Sequence, residues 1–179
     1  MRGTAMVFAG VAAILAAMPA LAAESHRIYL VPGEGERIDA GALHLEPDGA
    51  YRVVWDDTRF GDFFLSMRPF KCLESPEKLW CRVEYPYENN RRIGGDDLTD
   101  LEYDLLFVWK NANDYGIDMW NGVYYKLTED GETMTGELHE MNMDILSAPP
   151  DAGNLRPIDP DELHESDPDS HWLPRMIIE

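Results

Sequence analysis

Short segments that alternate apolar and polar residues, separated by turn signals rich in Gly, Pro and Asp, run through most of the chain. Alternation with a period of two is typical of antiparallel strands that bury one face. Segments 26–31, 37–45 and 51–55 are predicted strands, the second with the weakest pattern. We therefore expect a mainly β, antiparallel domain of about seven to nine strands, a small barrel or sandwich with one or two short helical turns.

The clearest hairpin is predicted to turn at Asp130-Gly131, a dipeptide typical of two-residue primed turns. With these two residues as the loop, Tyr125 lies opposite Gly136. Alternation then predicts one buried face and one wet face, and it assigns Tyr124 to the wet face.

Cys72 and Cys81 are the chain's 2 cysteines, and they flank a turn signal at 75–77. A hairpin about this turn places the two side chains opposite each other on one face. The spacing of the cysteines fits a two-residue redox motif poorly, and zinc needs further ligands nearby. The sequence therefore predicts a cross-strand disulfide.

The segment 94–110 fits two structures. Asp96 or Asp97 can cap a helix whose apolar face runs to Val108, but the residues before Lys110 also read as a buried strand. We favour a helical turn at 97–102 followed by a strand at 103–110.

The N-terminal residues 1–22 are typical of a cleaved signal peptide. Arg2 precedes an uncharged apolar run at 5–18, and Ala20-Leu21-Ala22 forms an A-x-A cleavage site. The alternative is a membrane anchor, but a spanning helix needs about 20 apolar residues. We therefore expect export to the periplasm or the medium, with no membrane span after cleavage.

The mature chain is expected to contain an antiparallel domain at 23–146 and a C-terminal segment at 147–179. Six of the 12 prolines lie in the second part, so most of it is predicted to be irregular. This segment is also rich in Asp and Glu and is therefore acidic. A short helical turn is expected to begin at Asp159-Pro160. The apolar residues 176–178 predict that the tail docks on the β domain.

The net charge of −19 constrains the partners of this chain. Nucleic acid and anionic lipid surfaces attract basic proteins, so neither is expected to bind. A small ligand or a basic protein remains a possible partner, and no cofactor is predicted. The sequence indicates no oligomeric state.

The aromatic residues are the best candidates for a binding site. Trp55, Trp109, Trp120 and Tyr124 lie on predicted strands or at their ends. In a curled sheet such residues either fill the core, which is their commoner role, or line a cavity. The cavity alternative predicts a small apolar or cationic ligand.

A second candidate site, a metal site, lies near the C terminus and comprises His164, Glu165, Asp167, Asp169 and His171. Imidazole and carboxylate groups suit transition metals. However, this spacing matches no known zinc motif, and a solvated acidic loop is the commoner arrangement.

Four stretches of the chain resemble a group of uncharacterised exported proteins of Gram-negative bacteria. They are FLSMRPFKC (64–72), DDLTDLEYDLLFVWK (96–110), WNGVYYKL (120–127) and ESHWLPR, the last interrupted by DPDS. The resemblance covers most of the mature chain. It implies a periplasmic or secreted setting, and it implies no activity or ligand.

Together these features favour a non-enzymatic periplasmic or secreted binding protein with an aromatic-lined cavity in its sheet. One alternative is an acidic envelope protein that binds a basic protein partner. The other is a hydrolase or metal-dependent enzyme, although the chain has no recognisable nucleophile motif.

Overall fold

The computed structural model describes residues 22–179, and an antiparallel sheet of 11 strands dominates them. The signal peptide predicted at 1–22 lies outside the described residues, apart from Ala22. The strands are β1 (Glu24–Val31), β2 (Ile38–Leu45), β3 (Tyr51–Trp55), β4 (Gly61–Phe64), β5 (Pro69–Glu74), β6 (Lys78–Arg82), β7 (Phe107–Asn111), β8 (Gly122–Asp130), β9 (Thr133–Met141), β10 (His164–Glu165) and β11 (Arg175–Ile178). One helix, α1 (Thr99–Tyr103), and three 3-10 turns (Met143–Ser147, Pro160–Glu162 and Pro168–Ser170) complete the fold.

The strands follow the order β3-β2-β1-β11-β9-β8-β7-β6-β5-β4, and β10 pairs separately with β9. This arrangement confirms the mainly β, antiparallel fold. The hydrogen-bonded path does not close on itself, because β3 and β4 are its two ends. The molecule is therefore a single open sheet.

The sheet curls around one core. Buried residues from strands across the path, such as Leu43 on β2, Trp80 on β6 and Met176 on β11, belong to the same apolar cluster. Trp55 on β3 contacts Phe107 on β7 edge to face, with ring centroids 5.5 Å apart. Because β3 and β7 are not neighbours in the sheet, this contact requires the sheet to wrap around.

A second apolar cluster covers the outer face of β8. Tyr103 from α1, Met143 and Ile158 pack with Tyr124, whose side chain is 2% exposed. The expectation that Tyr124 faces solvent is therefore wrong. The alternation on β8 correctly separates two faces, but the helix and the later chain cover the second face.

The β8–β9 hairpin turns one residue later than predicted. Asp130 still pairs with Thr133, so the loop consists of Gly131 and Glu132. Tyr125 consequently pairs with Leu138 rather than with Gly136. Gly131 has a φ of +65°, which suits the first central residue of a type II′ turn.

The predicted disulfide is confirmed. Cys72 and Cys81 are paired across β5 and β6 and are bonded, with an S–S distance of 2.07 Å. Leu73 and Trp80 form the next pair and point to the central core, on the opposite face. A disulfide of this kind is compatible with an oxidising, extracytoplasmic compartment.

The ambiguous segment contains both predicted elements. The helical turn α1 covers Thr99–Tyr103, and β7 begins at Phe107, later than expected. The predicted cap at Asp96 or Asp97 is wrong by a residue or more, because Leu98 is the N-cap residue and no side chain caps the helix. Asp97 Oδ1 instead accepts a hydrogen bond from the Thr99 N–H at 3.2 Å, just before the helix. Only three residues connect α1 to β7, and α1 packs against β8.

The C-terminal residues form a central strand. The tail contains no proline between 175 and 178, and there β11 pairs with β1 on one side and β9 on the other. Tyr29 pairs with Ile177, and Gly136 pairs with Met176. The last residues of the chain thus join the first strand of the domain to its longest hairpin.

Among residues 22–179, no helix has both the length and the apolar character needed to cross a membrane.

Candidate binding cleft

A cleft of about 440 Å³ lies beside β3, one of the two end strands of the sheet. One wall is formed by the end strand β3, and the other by the last residue of β6 and the chain after it, at 82–85. Asp104 and Leu106, between α1 and β7, line the cleft between these walls. A volume of this size falls within the range of small-ligand sites.

Packing holds the aromatic residues of β3 in place. The phenol of Tyr51 is buried, and the half-buried indole of Trp55 contacts Phe60 and Phe107 edge to face. Edge-to-face contacts of this kind add about 0.5–1.5 kcal/mol each beyond the burial of area. The β3 wall is therefore largely preformed.

Three arginines, Arg52, Arg82 and Arg91, line the cleft. Arg82 is the most enclosed, with a side chain only 14% exposed. Its Nη2 atom lies 3.1 Å from Asp57 Oδ1, and its guanidinium lies 5.4 Å from the Trp55 ring centroid. Burial lowers the pKa of Arg82 and the Asp57 charge opposes this effect, but an arginine remains charged in either case.

Part of the cleft lining is a hydrogen-bonded polar group formed by Tyr51, Asp104 and Arg91. Asp104 Oδ2 accepts hydrogen bonds from the Tyr51 hydroxyl at 3.0 Å and from Arg91 Nε at 3.2 Å. Burial, and then the Asp104 charge, raise the pKa of Tyr51 well above its ordinary value. The Tyr51 hydroxyl is therefore a permanent donor at neutral pH.

The charge in the cleft differs from the charge of the molecule. Its lining combines three arginines with two carboxylates, Glu84 and Asp104, in a chain of net charge −19. Arg82 and Arg91 have carboxylate partners, whereas Arg52 has no ion pair among the described residues. Arg52 is thus a free cation at the rim of the cleft.

The four aromatic residues predicted to bind ligand do not share a cavity. Only Trp55 lines the cleft. Trp109 is half-buried, with Lys78 Nζ 3.9 Å above its ring centroid, and Trp120 is 68% exposed. Tyr124 is enclosed by the second apolar cluster and donates its hydroxyl hydrogen to Glu102.

The structure separates the members of the predicted metal site. His164 and Glu165 are exposed on β10, while the Asp167 side chain accepts a hydrogen bond from the Asp169 N–H. His171 is buried, and its Nε2 atom lies 2.8 Å from Glu140 Oε1. Nowhere in 22–179 do three metal-ligating side chains come together.

The sequence patterns did not indicate the three arginines, Tyr51 or Asp104 as site residues. Two signals were present: Arg82 ends the apolar run of β6, and Arg91-Arg92 is the only pair of adjacent Lys or Arg residues in the sequence. Arg52 and Arg82 lie on opposite walls of one cleft because the sheet curls. No local sequence pattern encodes that curl.

The chain matches no protein-family model, no curated protein and no solved structure. The geometry of the cleft is therefore the basis for assigning a function to the chain.

Proposed function

We propose that this chain is an exported, non-enzymatic binding protein that holds a small ligand in the cleft between β3 and residues 82–85. One observation carries the proposal. The cleft beside β3 brings three arginines and the Trp55 ring together, although the chain as a whole is strongly acidic.

The chemistry of the cleft favours an anion with an apolar part. Guanidinium groups bind carboxylates through paired, charge-assisted hydrogen bonds, and Arg52 is free to do so. Trp55 and Val53 supply apolar surface beside it. The arginines would repel the cationic ligand considered from the sequence, so we replace that hypothesis with an anionic ligand.

Most ionisable side chains of the cleft already have a hydrogen-bond or ion-pair partner within the protein, and this favours binding over catalysis. Tyr51 and Arg91 both interact with Asp104, and Arg82 interacts with Asp57. Groups engaged in this way hold a fixed shape and a fixed charge. Those properties suit recognition of a ligand more than transfer of a proton.

A fluorescence titration tests the proposal. The probe is 1-naphthoate, an aromatic carboxylate, and 1-naphthylmethylammonium is its cationic counterpart. We expect naphthoate to change tryptophan emission and the ammonium compound to have no effect. Trp55→Phe should abolish most of the change, because Trp55 is the tryptophan that lines the cleft. Trp120→Phe, at an exposed position, is the matched control and should preserve it.

A charge variant completes the test. Arg52→Gln should weaken naphthoate binding at least threefold, whereas Arg68→Gln removes the same charge from an exposed turn outside the cleft and should have no effect. Equal affinity of both variants, or a full emission change in Trp55→Phe, would exclude this cleft as the site.

A further inference from the structure

The edge of β3 that borders the cleft carries free backbone groups. Hydrogen bonds of 2.8 Å run from the Glu46 N–H to the Ala50 carbonyl and from the Asp56 N–H to the Ala40 carbonyl. In an antiparallel ladder the bonding direction alternates from residue to residue. Even-numbered residues of β3 therefore face β2, and odd-numbered residues direct their N–H and C=O groups outward.

Only the start of this outer edge is occupied. The Tyr51 N–H donates to the Arg91 carbonyl at 3.0 Å, and an isolated bridge joins Ala50 to Arg92. The backbone groups of Val53 and Trp55 have no hydrogen-bond partner among the described residues. These two residues offer up to about four backbone hydrogen bonds to a further strand.

Proteins usually blunt an exposed strand edge with proline, lysine or a covering loop. The outer edge at 53–55 carries neither proline nor lysine, and it faces a cleft rather than a covering segment. Addition of a peptide strand to such an edge is a common mode of peptide recognition. The short length of the free edge fits a segment of about three or four residues.

The two faces of β3 specify what such a peptide carries. Side chains of Val53 and Trp55 are half-buried and point toward the core, whereas Arg52 is exposed on the other face. Residues of an added strand alternate between the same two faces. Apolar side chains would meet Trp55, and acidic side chains would meet Arg52.

We propose that the ligand of the cleft is an extended peptide segment with alternating acidic and apolar residues, which adds to β3 beside Val53 and Trp55. This inference rests on the proposed function, because it specifies the ligand class of the same cleft.

Amide hydrogen exchange followed by NMR tests the proposal directly. The probe is the peptide acetyl-Glu-Val-Glu-Val-amide at saturating concentration. We expect exchange of the Val53 and Trp55 amides to slow at least tenfold, because both gain acceptors. The amides of Arg52 and Val54 already face β2, so their exchange should change little and serves as the internal control.

Modified peptides separate strand addition from other binding. Methylation of the valine amides of the peptide removes backbone donors, and we expect the affinity to fall at least tenfold. Replacing both glutamates by lysine should have an effect of similar size, because Arg52 would then face a cation. Equal binding of the parent and methylated peptides, or unchanged exchange at Val53 and Trp55, would refute strand addition.

The naphthoate titration distinguishes the two proposals. If naphthoate binds and the acidic peptide does not, the peptide inference fails while the binding cleft remains supported. If neither binds, both proposals fail. If exchange of the Val53 and Trp55 amides slows and the methylated peptide binds more weakly than the parent peptide, both the binding cleft and strand addition are supported.

Discussion

At the scale of single residues, the fold depends on buried carboxylates that carry several hydrogen bonds each. Glu102 on α1 is 1% exposed. Its carboxylate accepts hydrogen bonds from the Tyr124 hydroxyl at 2.5 Å and from the Leu127 N–H at 2.7 Å, and Lys126 Nζ lies 3.2 Å away. A buried charge is tolerated only when it is paired and hydrogen-bonded in this way. Glu102 thus ties α1 to β8.

We predict that Glu102→Gln destabilises the protein by about 2–4 kcal/mol, because the amide removes the charge and turns one acceptor into a donor. Urea unfolding followed by circular dichroism measures the loss. Glu88→Gln, at an exposed position, is the control and should change stability by less than about 0.5 kcal/mol. Equal stability of the two variants would show that Glu102 contributes little to holding α1 on the sheet.

At the scale of elements, the β8–β9 hairpin shows how turn chemistry determines register. A two-residue loop with a positive φ at its first central position matches the right-handed twist of the flanking strands. Gly131 occupies that position, and Glu132 occupies the second without a positive φ. The register of all nine paired positions along these strands follows from this one turn.

Replacement of the turn glycine should therefore be costly. We predict that Gly131→Val lowers the free energy of unfolding by about 1–3 kcal/mol, because a β-branched residue is strained at a φ of +65°. Nothing lies within 4 Å of an added Cβ, so the cost comes from the backbone and not from a clash. Glu132→Val in the same loop is the control and should cost less than 1 kcal/mol. Thermal midpoints that fall equally in the two variants would contradict this account.

At the scale of the whole molecule, the sheet is continuous only because the C terminus returns to its middle. Strand β11 separates β1 from β9, and Met176 and Ile178 are almost fully buried in the core. The Arg27 N–H also donates to the Glu179 carbonyl. The half of the sheet formed by β1–β3 is thus connected to the rest of the sheet through the last residues of the chain.

Removal of residues 175–179 should abolish cooperative thermal unfolding, because β1 and β9 would each lose a partner and the core would open. Circular dichroism at increasing temperature measures this. Arg175→Ala, an exposed substitution in the same strand, should retain the transition near that of the parent protein. A truncated chain with a parental midpoint would show that β11 is dispensable.

Buried tyrosines make the stability of the whole molecule sensitive to high pH. Burial raises the pKa of Tyr103 to about 12, and it raises the pKa values of Tyr51, Tyr124 and Tyr125 further. In the unfolded chain these groups ionise near pH 10. The unfolded state therefore releases protons first, and stability present below pH 10 is lost as the pH rises.

We predict that the free energy of unfolding falls between pH 10 and 12, by about 1.4 kcal/mol per pH unit for each buried tyrosine that ionises only on unfolding. Urea titrations at several pH values measure the slope. Tyrosinate absorbance of the folded protein should account for fewer than the 8 tyrosines of the chain. A stability independent of pH in this range would contradict the burial of these phenols.

The alternating pattern and the turn signals by themselves determined β1–β3, β8 and β9, the α1–β7 order and the Cys72–Cys81 pairing, because all of these depend on residues close together in the chain. They did not indicate β4, β10 or β11, so the sheet has 11 strands where seven to nine were expected. The hairpin register was missed by two residues, since a slip of two keeps every side chain on its own face and leaves the alternation unchanged. Only the tertiary structure decided the burial of Tyr124, because the covering residues come from α1 and from 143–158.

The tertiary structure also decided the place of β11 and the composition of the cleft. Arg52, Arg82 and Arg91 come together because the open sheet curls until its end strand β3 faces the end of β6 and the residues after it. That curl results from the packing of one shared core by strands distant in sequence. Local periodicity records which face of a strand is apolar, but it carries no information about which distant strand that face will meet.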